Sequence, residues 1–279
     1  MPTAFRGALL LGTRSSALAL WQTDDVCRRL MEVSPSLAVR AVPLSTLGDR
    51  EVDAVLSDLG GAAFSSEIDR ALLDGRVGVA VHSLKDLPIK DNTGIVTAAV
   101  LSRDDPRDAL VSTLEGGLAS LPSGAKIGTS SPRRRAQVLA FRNDLLVEPV
   151  RGNVETRIAK AVKGPLDAVV LAAAGLNRLG RVEHIKELLS IETFVPAPGQ
   201  GALAVQCRED DHEARALLAL PVGALARHID GAPLELHGFV GALNGGESIR
   251  ISASGEDPLE LGRALAEQAI SLGARELLA

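Results

Sequence analysis

Five arginines and one aspartate are the groups in this sequence whose types and spacing point most directly to chemistry. Arg133, Arg134 and Arg135 follow Gly128-Thr129-Ser130-Ser131-Pro132, and Arg151 and Arg157 bracket Gly152-Asn153-Val154-Glu155-Thr156. Guanidinium forks suit bidentate recognition of carboxylate or phosphate. The triplet opens a helical pattern, a place where the helix dipole disfavours cations. An anionic ligand is expected to compensate there, whereas a basic triplet taken alone reads as a solvated stripe. Successive helical residues diverge by about 100°, so the three cannot share one direction, and Arg135 is expected to turn away. The aspartate is Asp86, in the loop His82-Ser83-Leu84-Lys85-Asp86-Leu87-Pro88 that follows an apolar run over 77–81. Open α/β sheets carry their functional groups beyond strand ends of this kind. Asp86 reads either as a turn-capping aspartate or as a carboxylate aimed into a cation-lined cleft. In the second case it would stay ionised and stabilise a cationic intermediate or bind an N–H donor. Lys85 stands beside it.

A repeated unit must position these groups. Near the N-terminus an apolar strand runs into Gly12-Thr13-Arg14-Ser15-Ser16 and a helical pattern. Near the middle, Lys126-Ile127 runs into Gly128-Thr129-Ser130-Ser131 and another helix. Each reads as a strand, a tight Gly-Thr turn and a hydroxyl-rich helix start, which offers unpaired N–H groups and a positive dipole end to an anion. One such unit in each half of the chain, both with arginine, predicts a cleft between two lobes and a ligand with more than one negative group.

The rest of the chain alternates strands and helices. Strands are expected over 8–11, 38–43, 77–81 and 95–101, with helices over 16–31 and 64–73. This rhythm argues for a parallel sheet covered by helices. The polar run 102–108 reads as a crossover to a second lobe, with strands over 126–128 and 168–172 and helices over 131–141 and 153–161. Val195-Pro196-Ala197-Pro198-Gly199-Gln200-Gly201 reads as the return crossing, followed by a strand over 202–206 and a helix over 211–220. Two crossings are what a clamshell needs. The domains expected are 1–101 with 202–219 as lobe one, 107–195 as lobe two, and 221–279 as a small third domain. That third domain carries strands over 234–240 and 248–253 and a helix over 259–272.

Composition narrows the function classes. The chain has 279 residues, enough for two or three domains with real cores. Aromatics make up only 2%, with no Tyr, so stacking platforms for single-stranded nucleic acid are not expected. A net charge of -5 argues against a general polyanion binder. Cys27 and Cys207 read as packing thiols, and no metal-ligand spacing occurs. His82 reads as structural rather than catalytic. No run is long and apolar enough for a membrane span, and the first seven residues are too polar for a signal peptide, so a cytoplasmic location is expected; a monomer is expected as well. No Walker loop, nucleophile elbow or dinucleotide fingerprint occurs.

Together the motifs resemble the porphobilinogen deaminase (hydroxymethylbilane synthase) family. The matching residues are Thr13-Arg14-Ser15-Ser16, Leu18-Ala19-Leu20-Trp21-Gln22, 80–88, Asp105-Pro106-Arg107-Asp108-Ala109, 128–134 and Arg151-Gly152-Asn153-Val154. They continue through Leu171–Gly180 and Pro198-Gly199-Gln200-Gly201-Ala202. The resemblance implies an α/β fold with two lobes like a periplasmic binding protein, joined by two hinge strands, plus a small truncated α+β third domain. It implies a substrate like porphobilinogen, a pyrrole bearing two carboxylates and an aminomethyl group. In the family the amine leaves as ammonia, and a pyrrole carbon attacks the resulting electrophilic methylene-pyrrole. The catalytic aspartate falls on Asp86 and its lysine neighbour on Lys85. Carboxylate binders fall on Arg14, Ser16, Ser131, Arg133, Arg134, Arg151, Arg157 and Arg178. Ser83, Thr129 and Gln200, inside the same motifs, are expected to join them.

The sequence also departs from that family. The family builds its product on a dipyrromethane primer attached by thioether to a cysteine in a Gly-Gly-Cys-like loop of the third domain. Here Leu217-Leu218-Ala219-Leu220 runs straight into Pro221-Val222-Gly223-Ala224, so a helix and the cysteine loop are expected to be missing together. The lid, where the family usually has lysines around a Gly-Gly pair, reads Leu56-Ser57-Asp58-Leu59-Gly60-Gly61-Ala62-Ala63-Phe64, keeping only the aromatic Phe64. No covalent cofactor is therefore expected. The favoured function is binding of porphobilinogen or a related aminomethyl pyrrole acid, with ammonia eliminated or displaced. The alternatives are a hydroxymethylbilane synthase with a noncovalent primer and a non-catalytic pyrrole-acid binder.

Overall fold

A computed structural model describes residues 8–44, 66–88, 91–218, 222–227, 233–241 and 248–274. The expected lid residue Phe64 lies outside the described residues. The first lobe is built from β1 (Leu9–Arg14), α1 (Ala17–Val33), β2 (Val39–Leu44), α2 (Ser66–Leu73), β3 (Val79–Ser83) and β4 (Ile95–Val100). The second holds β5 (Asp108–Ser112), β6 (Lys126–Gly128), α3 (Pro132–Phe141), β7 (Leu146–Glu148), α4 (Val154–Val162), β8 (Ala168–Ala172), α5 (Ala173–Arg178) and β9 (Ile185–Leu188). The chain then returns through β10 (Leu203–Arg208) and α6 (His212–Leu218).

The two five-stranded sheets have one plan. Their orders are β2-β1-β3-β10-β4 and β7-β6-β8-β5-β9. In both, the fourth strand is the one that has just crossed from the other lobe, and it runs antiparallel to its neighbours. The sheets are therefore mixed rather than purely parallel. A strand that enters from the crossing starts where the others end. Thus Leu203, at the head of β10, lies opposite Ser83 at the end of β3, and Asp108, at the head of β5, lies opposite Ala172 at the end of β8. Both crossings are delivered to the strand ends that carry the candidate site. This is a two-lobed α/β architecture, entered and left through two crossing segments.

The expected tight Gly-Thr turns are not turns. Gly12 and Thr13 continue β1 and pair with Val42 and Pro43, and Gly128 ends β6 opposite Glu148. Neither glycine has a positive φ. Thr13 is fully buried, and its hydroxyl donates to the Ala19 carbonyl at 3.1 Å, so the strand is held straight until Ser16 caps α1. Likewise His82 and Ser83 end β3 rather than open a loop, and only Leu84–Asp86 forms a short 3-10 turn. Strands β5, β7 and β9 were not expected. β7 has three residues and β9 reads Ile-Lys-Glu-Leu; both are sheet edges, where short and charged strands are favoured.

Apolar residues line both faces of the second sheet. Leu110, Ile127, Val138, Val170 and Phe194 pack on one side, and Val111, Val150, Ile158, Val169 and Leu176 on the other. The first sheet packs α2 through Ile68, Ala71 and Leu72 against Val77, Ala80 and Ile95. The chain divides into two compact units within α6, after Ala214. The second unit is an antiparallel sheet, order β11 (Val222–Arg227), β12 (Leu234–Gly241), β13 (Ser248–Gly255), packed with α7 (Pro258–Ser271) through Val240, Ile249, Ile251 and Ala269.

The crossings touch backbone to backbone. The Asp104 amide donates to the Gly201 carbonyl at 3.1 Å. Gly201 has φ +95°, and a Cβ there would sit 2.4 Å from the Asp104 carbonyl oxygen. Gly201→Ala is expected to lower unfolding stability by at least about 2 kcal/mol through strain and collision. Gly180→Ala, at φ +62° but with nothing within 4 Å, should cost about 1 kcal/mol. Urea unfolding of the two variants checks the difference.

Candidate active site

The ends of β1 and β3 and the first turns of α1 form a pocket lined by Arg14, Ser16, Leu18, Ala19, Gln22, Val81, His82, Ser83 and Asp86. Ser16 caps α1, its hydroxyl accepting from the Ala19 amide at 3.3 Å. Ser83 is tied to Gln22, whose Nε2 donates to the Ser83 hydroxyl at 3.0 Å. Asp86 is exposed at the end of its 3-10 turn. Lys85 beside it is half-buried. Burial pushes Lys85 down to about 8; Asp86 and Asp108 resist this shift, whereas Arg134 and Arg157 reinforce it.

The second lobe contributes cations from two helix starts. Ser131 caps α3, with Pro132 at the first helical position. Asn153 caps α4, accepting from the Thr156 amide at 2.8 Å. Ser130 joins the two starts: its hydroxyl donates to the Val150 carbonyl at 2.7 Å and accepts from the Val150 amide at 3.0 Å. Arg157, in the first turns of α4, has its pKa lowered by burial. The like charges of Arg134, Arg151 and Arg14 add to this, and Asp86 opposes it. Its Nε is buried without a hydrogen-bond partner. Arg14, Lys85, Arg134, Arg151, Arg157 and Asp86 are thus linked through electrostatic effects on Lys85 and Arg157.

Arg133 and Arg134 do not present free guanidinium groups. Both engage Asp108, which is fully buried at the head of β5. Arg134 donates to Asp108 Oδ1 from Nε at 3.0 Å and from Nη2 at 2.7 Å, and from Nη1 to the Val170 carbonyl at 3.1 Å. Arg133 pairs with Asp108 Oδ2 at 2.8 Å and donates to the Val195 carbonyl at 2.5 Å. Gln200 is fully buried and completes the cluster, with Nε2 donating to Asp108 Oδ1 at 2.9 Å and to the Pro106 carbonyl at 2.6 Å. Thr129 is buried and its hydroxyl accepts from the Ser131 amide at 3.2 Å, a local brace for the helix start. Arg135 turns away and donates to the Val147 carbonyl.

Arg178 lies elsewhere. It stands 5.9 Å over the Trp21 ring, pairs with Asp104 at 3.5 Å and donates to the Gly201 carbonyl at 2.5 Å. It lines a separate pocket with Trp21, Asp25 and Arg103 beside the crossings. Of the residues singled out by sequence, then, Arg14, Ser16, Ser83 and Asp86 share one pocket. Lys85, Arg134, Arg151 and Arg157 form the electrostatic group that includes Arg14 and Asp86. Ser131 and Thr129 shape a helix start, and Arg133, Gln200 and Arg178 bind the crossings. Asp108 was not singled out; its signal was an acidic residue opening the apolar run Ala109-Leu110-Val111, which is unusual without a buried partner. Among the described residues no cluster of metal-ligating side chains occurs, and no helix is long and apolar enough to cross a membrane.

The family model described as "Porphobilinogen deaminase, dipyromethane cofactor binding domain" matches residues 9–216. The porphobilinogen deaminase of Xanthomonas oryzae pv. oryzae (strain PXO99A) is 43% identical over 300 residues, covering 97% of this chain and 98% of its own. That of Geobacter metallireducens is 42% identical, covering 97% of this chain and 94% of its own. A periplasmic substrate-binding protein of an ABC transporter from Coxiella burnetii aligns with 75% of this chain and 90% of its own, with a TM-score of 0.48 and 15% identity. The family match and the near full-length relatives place the chain among enzymes of the transferase class. The chain belongs to the porphobilinogen deaminase family, enzymes of tetrapyrrole biosynthesis.

Burial raises the Asp108 carboxyl, but Arg134, Arg133 and Gln200 outweigh it and hold the group below the usual carboxylate range. Asp108 therefore stays charged to lower pH in the folded protein than in the unfolded chain. Its contribution is complete above the ordinary value near about 4 and is lost as pH falls through the lowered folded value. Asp108→Asn, which faces two guanidinium groups with a neutral amide, is expected to cost about 3–5 kcal/mol at pH 7. The difference from wild type should shrink in acid, as urea unfolding at pH 7 and pH 3 would show.

Proposed function

We propose that this chain binds porphobilinogen, or a related carboxylated aminomethyl pyrrole, between its lobes and cleaves the aminomethyl C–N bond, releasing ammonia. The observation that carries this reading is Asp86 lining one pocket with Arg14, within the field of Lys85, Arg134 and Arg157. The ligand's acid side chains answer the cations, and the buried unpartnered Nε of Arg157 is suited to one of them. The aminomethyl nitrogen leaves from its protonated, ammonium form: when the C–N bond breaks, the electron pair goes with nitrogen as neutral ammonia and positive charge spreads over the pyrrole. An ionised Asp86 beside the ring stabilises that charge. Arginine-held carboxylates keep the methylene carbon aligned for attack by the free carbon of a second pyrrole, which loses a proton to restore its ring.

The reaction is proposed to run without a thioether-linked dipyrromethane. The chain has two cysteines. Cys207 is fully buried in β10, between β3 and β4. Cys27 is buried in α1, and burial, with the charge of Asp24, pushes its thiol up, away from the reactive thiolate. Neither thiol fits an attachment point. The region aligned with the Xanthomonas relative is 300 positions long, longer than the 279 residues of this chain, so that relative carries positions with no counterpart here. This supports a deletion somewhere along the chain, and it is the sequence that sets it between Leu220 and Pro221. The cations do fit the acid side chains of a free dipyrrole, with Arg14, Lys85, Arg151 and Arg157 as its holders. Such a primer would supply the attacking pyrrole carbon when bound. That second reading, a hydroxymethylbilane synthase with a noncovalent primer, is favoured by the near full-length similarity.

Asp86→Ala is expected to lower ammonia release from porphobilinogen by about 100-fold or more while calorimetry still detects binding. Unchanged release removes Asp86 from the mechanism, and a wild-type protein that binds without release makes the chain a binder only. Intact-mass measurement is expected to give the mass of the polypeptide alone. A dipyrrole adduct that disappears on replacing either cysteine by alanine would overturn the noncovalent reading.

A further inference from the structure

His82 is the group in the pocket whose chemistry remains unassigned. It stands near the end of β3, opposite Ala204 of β10. The parallel register of β1 and β3, which sets Leu11 against Val79 and Gly12 against Ala80, brings Arg14 alongside it. His82 lines the same pocket as Arg14, Ser83 and Asp86, yet it is only 7% exposed. Its Nε2 is buried without a hydrogen-bond partner. A buried ring nitrogen left unpaired is costly, and such groups in folded proteins usually have a reason. The ring is also uncharged: burial, with the positive charge of Arg14 adding to it, pushes His82 down to about 4. A neutral imidazole offers one N–H and one lone pair. In the tautomer that carries the proton on Nε2, that N–H needs an acceptor; Arg14, which is all donors, cannot supply one, and no pocket side chain, Asp86 included, pairs with it.

We propose that His82 is a ligand-contacting specificity residue, whose neutral ring donates a hydrogen bond from Nε2 to one oxygen of a ligand carboxylate whose other oxygen is held by Arg14. The inference rests on the reading of the ligand as a carboxylated pyrrole. A neutral donor beside Arg14 adds a directed hydrogen bond without adding a further cation to a cleft already crowded with them. It selects a planar carboxylate over a point anion, because two different donors must meet two oxygens. The unpaired Nε2 is then a vacancy in hydrogen bonding that the ligand fills.

The test uses the full chain with porphobilinogen and with two analogues, each having one acid side chain replaced by its primary amide. His82→Leu is expected to raise KM for porphobilinogen about 10-fold or more with kcat changed far less. His82→Gln, which can place an N–H near the position of Nε2, should restore most of the loss, and His82→Asn, which mimics the other ring nitrogen, should not. For one of the two analogues the wild type and His82→Leu should give the same KM, since the bond is already missing. Should His82→Leu fail to fold, the Gln and Asn variants carry the comparison alone. Equal KM for Gln, Asn and wild type, or an equal loss with all three ligands, overturns the proposal and leaves His82 a packing residue. Failure of the wild type to bind porphobilinogen at all would instead overturn the reading on which the proposal rests.

Discussion

A single buried carboxylate organises the meeting of the two lobes. Asp108 opens β5 at the point where the chain enters the second lobe, and Arg133, Arg134 and Gln200 all converge on it. Removing a carboxylate from water is expensive unless its partners are in place. Here the partners come from α3 and from the return crossing, which are distant in sequence. The pairing therefore forms only when the first crossing, the return crossing and the start of α3 are assembled together. It also decides what two of the arginines do. Guanidinium groups already engaged by a fully buried aspartate act first as architecture, holding the strand ends in place.

Four further cations come from other elements. Arg14 comes from the end of β1, Lys85 from the turn after β3, and Arg151 and Arg157 from the start of α4. Their mutual repulsion is visible in Arg157, whose pKa is lowered by burial and then by three neighbouring arginines. Like charges brought together in partial burial repel one another and disfavour the charged form of each. Lys85, pushed down to about 8, belongs to the same field. The pocket beside the crossings is a contrasting case. There Arg178 is neutralised by Asp104 and covered by Trp21, so its charge stays within the protein.

Much of the site was legible in the residues themselves. Strand ends followed by Ser16 and Ser131 marked two helix starts, and the structure shows both hydroxyls capping them. The angular argument that separates successive helical residues anticipated the departure of Arg135 toward β7. The Gly-Thr turns were misread because glycine suggests a turn locally, while burial of Thr13 and pairing with β2 keep the chain extended. Edge strands β7 and β9 escaped notice because three or four residues with charges among them carry too little periodicity.

By itself the sequence determined the alternation of strands and helices, the two crossings, the presence of the arginines and Asp86, and the chain's place in its family. Those are matters of local pattern and residue order, and they need no knowledge of partners. The tertiary structure alone decided which cations a buried carboxylate engages. Arg133 and Arg134 look equivalent to Arg151 and Arg157 along the chain, but the charge opposing the first pair stands about twenty-five residues away, at the head of a strand that enters from the other lobe. Ion pairing depends on distance in space and on exclusion of water, and neither is written in a spacing.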